Sequence, residues 1–149
     1  MRKNILALAL LLTACGKAPP PPPPPASTIQ PEEIDYMAIK TNKLYGGGCN
    51  FVADGGGIAA LVLAQEKEAI IKLKGEIVRV PADTTSQMLP ESARTRYADA
   101  AHILILAPIL GTEPTENGVV QSLPVSLAML DPQGRVQFTA KGQVQCKPM

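Results

Sequence analysis

Short hydrophobic stretches separated by turn-forming residues follow one another through the C-terminal two thirds of the chain. Residues 135–140 alternate most clearly, with Val136 and Phe138 predicted to point inward. Two β-prone runs flank Lys74-Gly75 and predict a hairpin. Residues 101–107 are apolar on both faces and predict a central strand. The pattern predicts a mainly β domain, an antiparallel meander closed as a small barrel or a two-layer sandwich.

Other strands are predicted from their content of β-branched and apolar residues. They lie at residues 49–52, 58–64, 69–74, 76–80 and 123–130, before a final strand in which Val144 and Cys146 share a face. Periodicity alone also allows a helix over residues 58–64. The Val, Ile and Leu content of this run and its flanking glycines favour a strand.

Turn-forming residues and prolines separate these strands. Asp131-Pro132-Gln133-Gly134 suits a type I turn, and Lys141-Gly142 predicts another turn. Pro124 has no N–H to donate, so it is expected at a strand start or at a sheet edge. Earlier in the chain, Pro31-Glu32-Glu33 predicts the first turn of a short helix that continues over residues 34–40.

The N-terminus has the organisation of a secretory signal. A positively charged start is followed by the apolar residues 5–12, then by Thr13, Ala14 and Cys15. This apolar run is far shorter than the roughly 20 residues that span a bilayer. Residues 1–14 are therefore predicted to be a signal peptide, with a Cys-containing linker over residues 15–30 and a globular β domain over residues 31–149.

Leu12-Thr13-Ala14-Cys15 resembles the lipobox of bacterial lipoproteins. The resemblance implies that Cys15 carries a diacylglycerol, that the signal is cut before it, and that its new amine is acylated. Two or more acyl chains hold a protein firmly to a membrane. Gly16 stands where Asp would imply retention at the inner membrane, so the outer membrane, facing the periplasm, is expected. The alternative is an ordinary secretory signal with an incidental cysteine.

The linker contains seven consecutive prolines, residues 19–25. Such a run favours polyproline II, which rises about 3.1 Å per residue and so reaches roughly 22 Å. It is predicted to be a spacer that lifts the domain off the bilayer. A ligand for proline-binding grooves is the alternative.

Charge and aromatic content argue against nucleic acid as a partner. Removal of Arg2 and Lys3 with the signal leaves 12 Lys and Arg against 13 Asp and Glu, a formal charge of −1. No basic stripe is evident, and with no Trp, two Phe and three Tyr the chain has few stacking platforms. The expected partners are membrane lipid, through acylated Cys15, and a protein of the envelope.

Cysteine usage indicates a disulfide. If Cys15 carries lipid, Cys49 and Cys146 are the only cysteines left, and an oxidising compartment favours their pairing. The bridge would join the start of the globular domain to its end. Two free thiols or a metal pair are the alternatives, although neither cysteine has the CxxC or Cys/His neighbours typical of zinc sites.

No catalytic, metal or cofactor site is predicted. The single histidine, His102, begins an apolar strand, where a structural role is more common than catalysis. There is no GxSxG nucleophile elbow. The glycine-rich residues 46–48 and 55–57 lack the following Gly-Lys-Ser/Thr of a phosphate loop. A non-enzymatic binding or structural module is therefore expected. A hydrolase with an unrecognised Ser, Asp or Glu site is a further alternative, which a cleft that pairs His102 with a carboxylate and a serine would support.

The long polar stretch at residues 83–99 is predicted to be an irregular loop and to be the place for partner contacts. Within it, Ser92-Ala93-Arg94-Thr95-Arg96-Tyr97, together with Cys49 and Cys146, is loosely similar to lipoproteins that inhibit C-type lysozyme. The similarity implies contacts by Ser92 and Arg96, in a loop that also presents Arg94 and Tyr97, but the glycine and tryptophan of that family are absent. The chain equally resembles the many short proteobacterial envelope lipoproteins. An inhibitor of a cell-wall lytic enzyme is thus the alternative function.

Overall fold

The computed structural model describes residues 19–22 and 28–148. These residues form one helix and ten strands in one antiparallel sheet. The predicted signal peptide, Cys15 and part of the proline run lie outside the described residues. The elements are β1 Pro31–Glu32, α1 Tyr36–Asn42, β2 Gly48–Ala53, β3 Val62–Ala64, β4 Glu68–Leu73, β5 Glu76–Pro81, β6 Arg96–Ala98, β7 Ile103–Pro108, β8 Thr115–Asn117, β9 Val120–Leu130 and β10 Val136–Lys147.

The strands form a meander, as predicted. β2, β3, β4 and β5 pair in chain order, as do β6, β7, β9 and β10, and β10 returns to pair with β2. The short strands β1 and β8 extend the edges of β4 and β9. β5 and β6 meet at one bridge between Ala82 and Tyr97, beside a 3.0 Å hydrogen bond from Asp83 N–H to the Arg96 carbonyl. The sheet thus curls into a half-barrel, called the barrel below, whose two edges meet only locally at this seam.

Antiparallel pairing gives the barrel two distinct ends. At the near end lie the Lys74-Gly75 turn, the loop 99–102, the turn 131–134, and residues 28–30, which lead into β1. At the far end lie residues 65–67, the segment 83–95 and the loop 109–114. The chain therefore enters the domain at the near end.

Two apolar clusters hold the sheet, one on each face. The inner face packs side chains from both halves of the meander, among them Phe51, Ile71, Leu104, Leu127 and Val144. Burial of each such side chain stabilises the fold by roughly 1.5–3 kcal/mol. On the outer face, α1 covers a smaller cluster consisting of Ile34, Leu44, Ala60, Leu63 and Ile70.

The predicted short helix exists, but it begins later than predicted. Pro31 and Glu32 form β1, because the Glu32 carboxylate accepts a 2.9 Å hydrogen bond from Gly75 N–H and lies 3.6 Å from Lys72 Nζ. The helix starts after Asp35, whose Oδ1 accepts the Ala38 N–H at 2.7 Å as an N-cap. These long-range contacts of Glu32 override the local helix signal.

The predicted turn at Lys141-Gly142 is wrong, because β10 runs through it without interruption. Gly142 faces β2, and a Cβ placed there would lie 2.1 Å from the Val52 carbonyl oxygen. The glycine is therefore needed for the close approach of two strands and not for a change of direction.

Register irregularities explain two further corrections. Val136, predicted to point inward, is 56% exposed because the pairing of β9 with β10 shifts between Val136 and Phe138. Phe138 does pack against the core, as predicted. Pro124 lies inside β9, between the residues paired with β8 and those paired with β7. On that side its carbonyl accepts the Ile109 N–H at 3.1 Å, and no N–H of its own is required.

Two predicted segments differ in extent. The strand predicted over residues 58–64 is a strand rather than a helix, but it covers only Val62–Ala64, and Ile58 is fully exposed. The stretch 83–99, predicted to be irregular, contains β6, whose register with β7 pairs Tyr97 with Leu104. The turn at residues 131–134 is confirmed by a 2.9 Å hydrogen bond from Gly134 N–H to the Asp131 carbonyl.

Substitution of Gly142 tests the close approach of β2 and β10. Gly142→Ala is expected to lower the free energy of unfolding by about 3 kcal/mol, since the new methyl group meets backbone that cannot move freely. Urea denaturation measures the loss. Gln143→Ala, on the exposed face of the same strand, is the control and should stay within about 0.5 kcal/mol. Equal stability of the two variants would contradict the packing argument.

Candidate functional site at the far end of the barrel

The predicted disulfide between Cys49 and Cys146 is present. The two residues stand directly opposite each other on β2 and β10, with their Cα atoms 3.9 Å apart. Both side chains are buried at the far end of the barrel. The bridge joins residues 97 positions apart and thereby fixes the strand pair on which the meander closes.

The segment 83–95 covers the far end of the inner core. Leu89 and Ala93 point into the inner core and are buried. The carbonyl oxygen of Pro90 lies 3.3 Å from Cys49 Sγ. A disulfide sulfur has no proton to donate, so this is a packing contact. The turn after Leu89 therefore rests on the disulfide.

Residues 87–95 of this segment form a small hairpin, called here the far-end hairpin. Its arms are joined by hydrogen bonds from Thr95 N–H to the Gln87 carbonyl, at 2.9 Å, and from Leu89 N–H to the Ala93 carbonyl, at 2.8 Å. Met88 and Arg94 form an isolated antiparallel β-bridge between the two arms. Since Leu89 and Ala93 face the core, the alternating residue Met88 faces solvent, and its side chain is 59% exposed.

The tip of the far-end hairpin has an unusual backbone. Glu91 has φ 54° and ψ 36°, and Ser92 has φ 61°, with a 3.3 Å hydrogen bond from Ala93 N–H to the Pro90 carbonyl. Positive φ at both central residues makes this a type I′ turn, for which Asn-Gly is the preferred pair. Left-handed backbone costs roughly 1–2 kcal/mol for each non-glycine residue. The tip is therefore strained.

A second turn of the same type lies at the near end, where Lys74 and Gly75 have φ 50° and 80°. Its second central residue is glycine, so only Lys74 carries the left-handed penalty. The strain of two consecutive non-glycine residues is thus confined, within residues 19–22 and 28–148, to the tip of the far-end hairpin.

Asp83 holds the base of the segment. Its Oδ1 accepts the hydroxyl and the N–H of Thr85 at 2.6 and 3.0 Å, and its Oδ2 lies 2.8 Å from Arg96 Nη1. The Thr85 hydroxyl, together with the Thr85 N–H and the Arg96 guanidinium, lowers the pKa of Asp83. Arg96 is therefore engaged in holding the loop.

Tyr97 connects the segment to the opposite wall of the barrel. Its ring is fully buried, and its hydroxyl donates to the Gln65 carbonyl at 2.8 Å and accepts the Arg94 N–H at 2.7 Å. Burial raises the pKa of Tyr97 to about 12. The side chain is thus a core residue with a satisfied polar end.

The structure separates the four residues predicted to contact a partner. Ser92 is exposed at the hairpin tip. Arg94 is half-buried, with its Nη1 donating to the Ser86 carbonyl at 3.1 Å and its Nε buried without a partner. Arg96 is paired with Asp83, and Tyr97 is withdrawn into the core. Of the four residues that the inhibitor hypothesis names, Ser92 alone is exposed and has no partner among the described residues.

The sequence pattern did not predict that Glu91 and Met88 would be exposed beside Ser92. Glu91 is exposed at the tip, and Met88 is exposed on the arm beside it. Glu-Ser is not a typical type I′ pair, so local sequence did not predict a hairpin here. The pairing of Leu89 with Ala93 is set by their burial in the core.

A separate cavity of about 650 Å³ lies at the near end, between residues 28–32, the β4–β5 hairpin and His102. Its lining includes Ile29, Leu73, Val78 and His102. His102 Nδ1 lies 3.3 Å from Asp99 Oδ1, which also accepts the N–H groups of Ala101 and His102 at 2.7 and 2.6 Å. The lining contains neither serine nor cysteine, and Thr28 is its one hydroxyl-bearing residue. The His102–Asp99 pair serves to shape the loop before β7.

Burial alone would raise the pKa of Asp99, but the hydrogen bonds from Ala101 and His102 outweigh it and lower that pKa. The same balance holds at the turn after β9. There burial is opposed by hydrogen bonds from Arg135 and Gln133, and the pKa of Asp131 is lowered. Both carboxylates act as anchors of near-end turns.

Within the described part of the chain, no group of three His, Cys, Asp or Glu side chains is placed to hold a metal ion. Among the same residues, no helix is long and apolar enough to cross a membrane. No protein-family model matches the chain, and no curated protein or solved structure matches it either.

Removal of the Tyr97 hydroxyl tests its role at the far end. Tyr97→Phe is expected to cost about 1–3 kcal/mol of unfolding free energy at neutral pH, because it leaves Arg94 N–H and the Gln65 carbonyl unpaired. Chemical denaturation measures this loss. Tyr45→Phe, at a ring that is 64% exposed, is the control and should change little. Equal stability of both variants would contradict the bridging role.

The same variant gives a pH test. The pKa of Tyr97 is about 12 in the folded chain and ordinarily 10, so the unfolded chain loses this proton first. The stability that the neutral hydroxyl contributes is therefore fully present below pH 10 and is lost as pH rises toward 12. Over that window the wild type should lose about 2–3 kcal/mol more than Tyr97→Phe. Parallel pH profiles of the two proteins would contradict the raised pKa.

Removal of the disulfide should weaken the whole domain. The double variant Cys49→Ala/Cys146→Ala is expected to lose about 4 kcal/mol, the value for a bridge that closes a loop of this length. Urea denaturation with and without a reducing agent measures it. Reduction should shift the midpoint of the wild type and leave that of the double variant unchanged. A wild type that is insensitive to reduction would contradict the stabilising role.

Proposed function

We propose that the protein is a membrane-anchored lipoprotein of the cell envelope whose β domain is a non-enzymatic binding or structural module. The observation that carries the proposal is the sequence Leu12-Thr13-Ala14-Cys15 at the end of a charged and apolar leader. The lipid on Cys15 holds the protein to the membrane. The protein is located at the outer membrane and faces the periplasm.

The geometry of the domain supports display away from an anchor. The segment that follows the proline run enters at the near end, through residues 28–30 and β1. The far end lies on the opposite side of the barrel. The far-end hairpin thus lies at the opposite end of the barrel from the residues that lead to the proposed anchor.

The disulfide supports the same compartment. Disulfides persist in secreted proteins and in the bacterial periplasm, whereas reduced thiols prevail in the cytosol. The buried bridge between Cys49 and Cys146 therefore fits an exported domain. It also leaves Cys15 as the one cysteine for acylation.

The arrangement of polar side chains supports binding rather than catalysis. The buried carboxylate Asp131 and the paired Asp83, Asp99 and Tyr97 each hold a loop or a turn. His102 has a carboxylate beside it, but the cavity at this place offers no serine or cysteine nucleophile. These four polar side chains are thus used for the architecture of the domain.

Substitution of the acylated cysteine tests the anchor. Cys15→Ser should abolish lipid attachment, so the protein should leave the membrane fraction or persist as an unprocessed precursor. Fractionation and intact mass measure both effects. Thr13→Ser keeps a small residue in the same motif and is the control, expected to remain acylated and membrane-bound. An unchanged mass and an unchanged membrane fraction for Cys15→Ser would refute the proposal.

A further inference from the structure

We propose that the far-end hairpin is the partner-binding element of the domain, and that its tip, Glu91-Ser92, together with Met88 contacts a protein that presents an arginine or lysine to Glu91. This inference depends on the proposed function, since it assigns the contact surface of the binding module.

The strain at the tip is the first argument. Glu91 and Ser92 both adopt left-handed backbone, although Asn-Gly would relieve the cost. Neither side chain makes a hydrogen bond or an ion pair with any of the residues that the structure describes. Their side chains thus contribute nothing to the stability of the domain itself. Strained residues of this kind cluster at ligand-contacting sites, where function retains them.

The rigidity of the tip is the second argument. Leu89 and Ala93, on either side of the turn, are anchored in the core, and Pro90 rests against the Cys49–Cys146 disulfide. A surface held in its bound shape before contact loses little conformational entropy on binding. The far-end hairpin is therefore preorganised, in contrast to an ordinary surface loop.

The chemistry of the exposed groups indicates the partner. The Glu91 carboxylate makes no hydrogen bond or ion pair with any residue that the structure describes, so it is available to accept a charge-assisted hydrogen bond from a partner. Ser92 offers a hydroxyl beside it. Met88, 59% exposed, adds a flexible apolar side chain that adapts to an irregular surface. A protein surface with a basic side chain next to an apolar patch fits this set.

The position of the tip agrees with the proposed anchor. It lies at the far end, opposite the residues through which the chain enters the domain. A partner that approaches from the side away from the bilayer meets this end first. The near-end turn Lys74-Gly75 has the same backbone type and faces the opposite way, so it provides a matched comparison.

Site-specific photocrosslinking in the full-length acylated protein tests the proposal. A photoreactive residue replaces Met88 in one protein and Lys74 in another, and adducts are formed in intact cells. The position of Met88 should give a discrete protein adduct, identified by mass spectrometry, at least about tenfold more abundant than any adduct at Lys74. Glu91→Asn/Ser92→Gly should lower the Met88 adduct about tenfold, the effect of one lost charge-assisted hydrogen bond.

A melting experiment separates loss of contact from loss of fold. Glu91→Asn/Ser92→Gly should raise the melting temperature by about 2–5 °C, because it relieves the strained turn. The control Lys74→Asn should also raise it slightly and should leave the Met88 adduct unchanged. A more stable protein that loses its adduct supports the proposal.

The crosslinking outcomes that overturn the hairpin proposal differ from the fractionation outcome that overturns the membrane anchor. An adduct at Met88 that persists in the double variant overturns the assignment of Glu91 and Ser92. Protein adducts at Lys74 but not at Met88 overturn the far-end hairpin and leave a binding module with another surface. Absence of protein adducts at both positions overturns the hairpin and counts against the binding module, whereas the anchor is judged separately by Cys15→Ser.

Discussion

The pairing of β2 with β10 is the constraint on which the rest of the structure depends. It joins the two halves of the meander and brings the start of the globular domain against its end. Gly142 permits the strands to approach, and the Cys49–Cys146 bridge holds them together. Without this pair, strand pairing between the two halves would be limited, in the described part of the chain, to the local seam at Ala82 and Tyr97. The inner core would then be open to water on one side.

The far end is built on this same pair. The disulfide supports Pro90, the core receives Leu89 and Ala93, and the Tyr97 hydroxyl joins the segment to the Gln65 carbonyl. The result is a closed barrel end whose surface turn has no freedom to relax its left-handed backbone. The scaffold thus holds Glu91 and Ser92 in a strained conformation that lowers the stability of the domain. This strain connects the fold with the proposed contact surface.

Local patterns predicted most of the strands because alternation and turn chemistry act over a few residues. The hairpin at Lys74-Gly75 and the turn at Asp131–Gly134 are confirmed for this reason. The errors have long-range causes. Gly142 faces the Val52 carbonyl from 90 positions away, and a bulge between Val136 and Phe138 shifts which side chain points inward. Neither cause leaves a local pattern that a reading of β10 could detect.

The sequence by itself determined the fold class and the positions of most strands, favoured the pairing of Cys49 with Cys146, and led to the hypothesis of a lipid anchor at Cys15. These follow from composition, short-range periodicity and the count of thiols. Only the tertiary structure decided which residues of the stretch 83–99 face solvent. Tyr97 was expected to be accessible, yet it is buried because its hydroxyl bonds to the Gln65 carbonyl on another segment. Glu91 and Ser92 are exposed because the flanking residues Leu89 and Ala93 are buried in the core. Surface and core are assigned by contacts between distant parts of the chain.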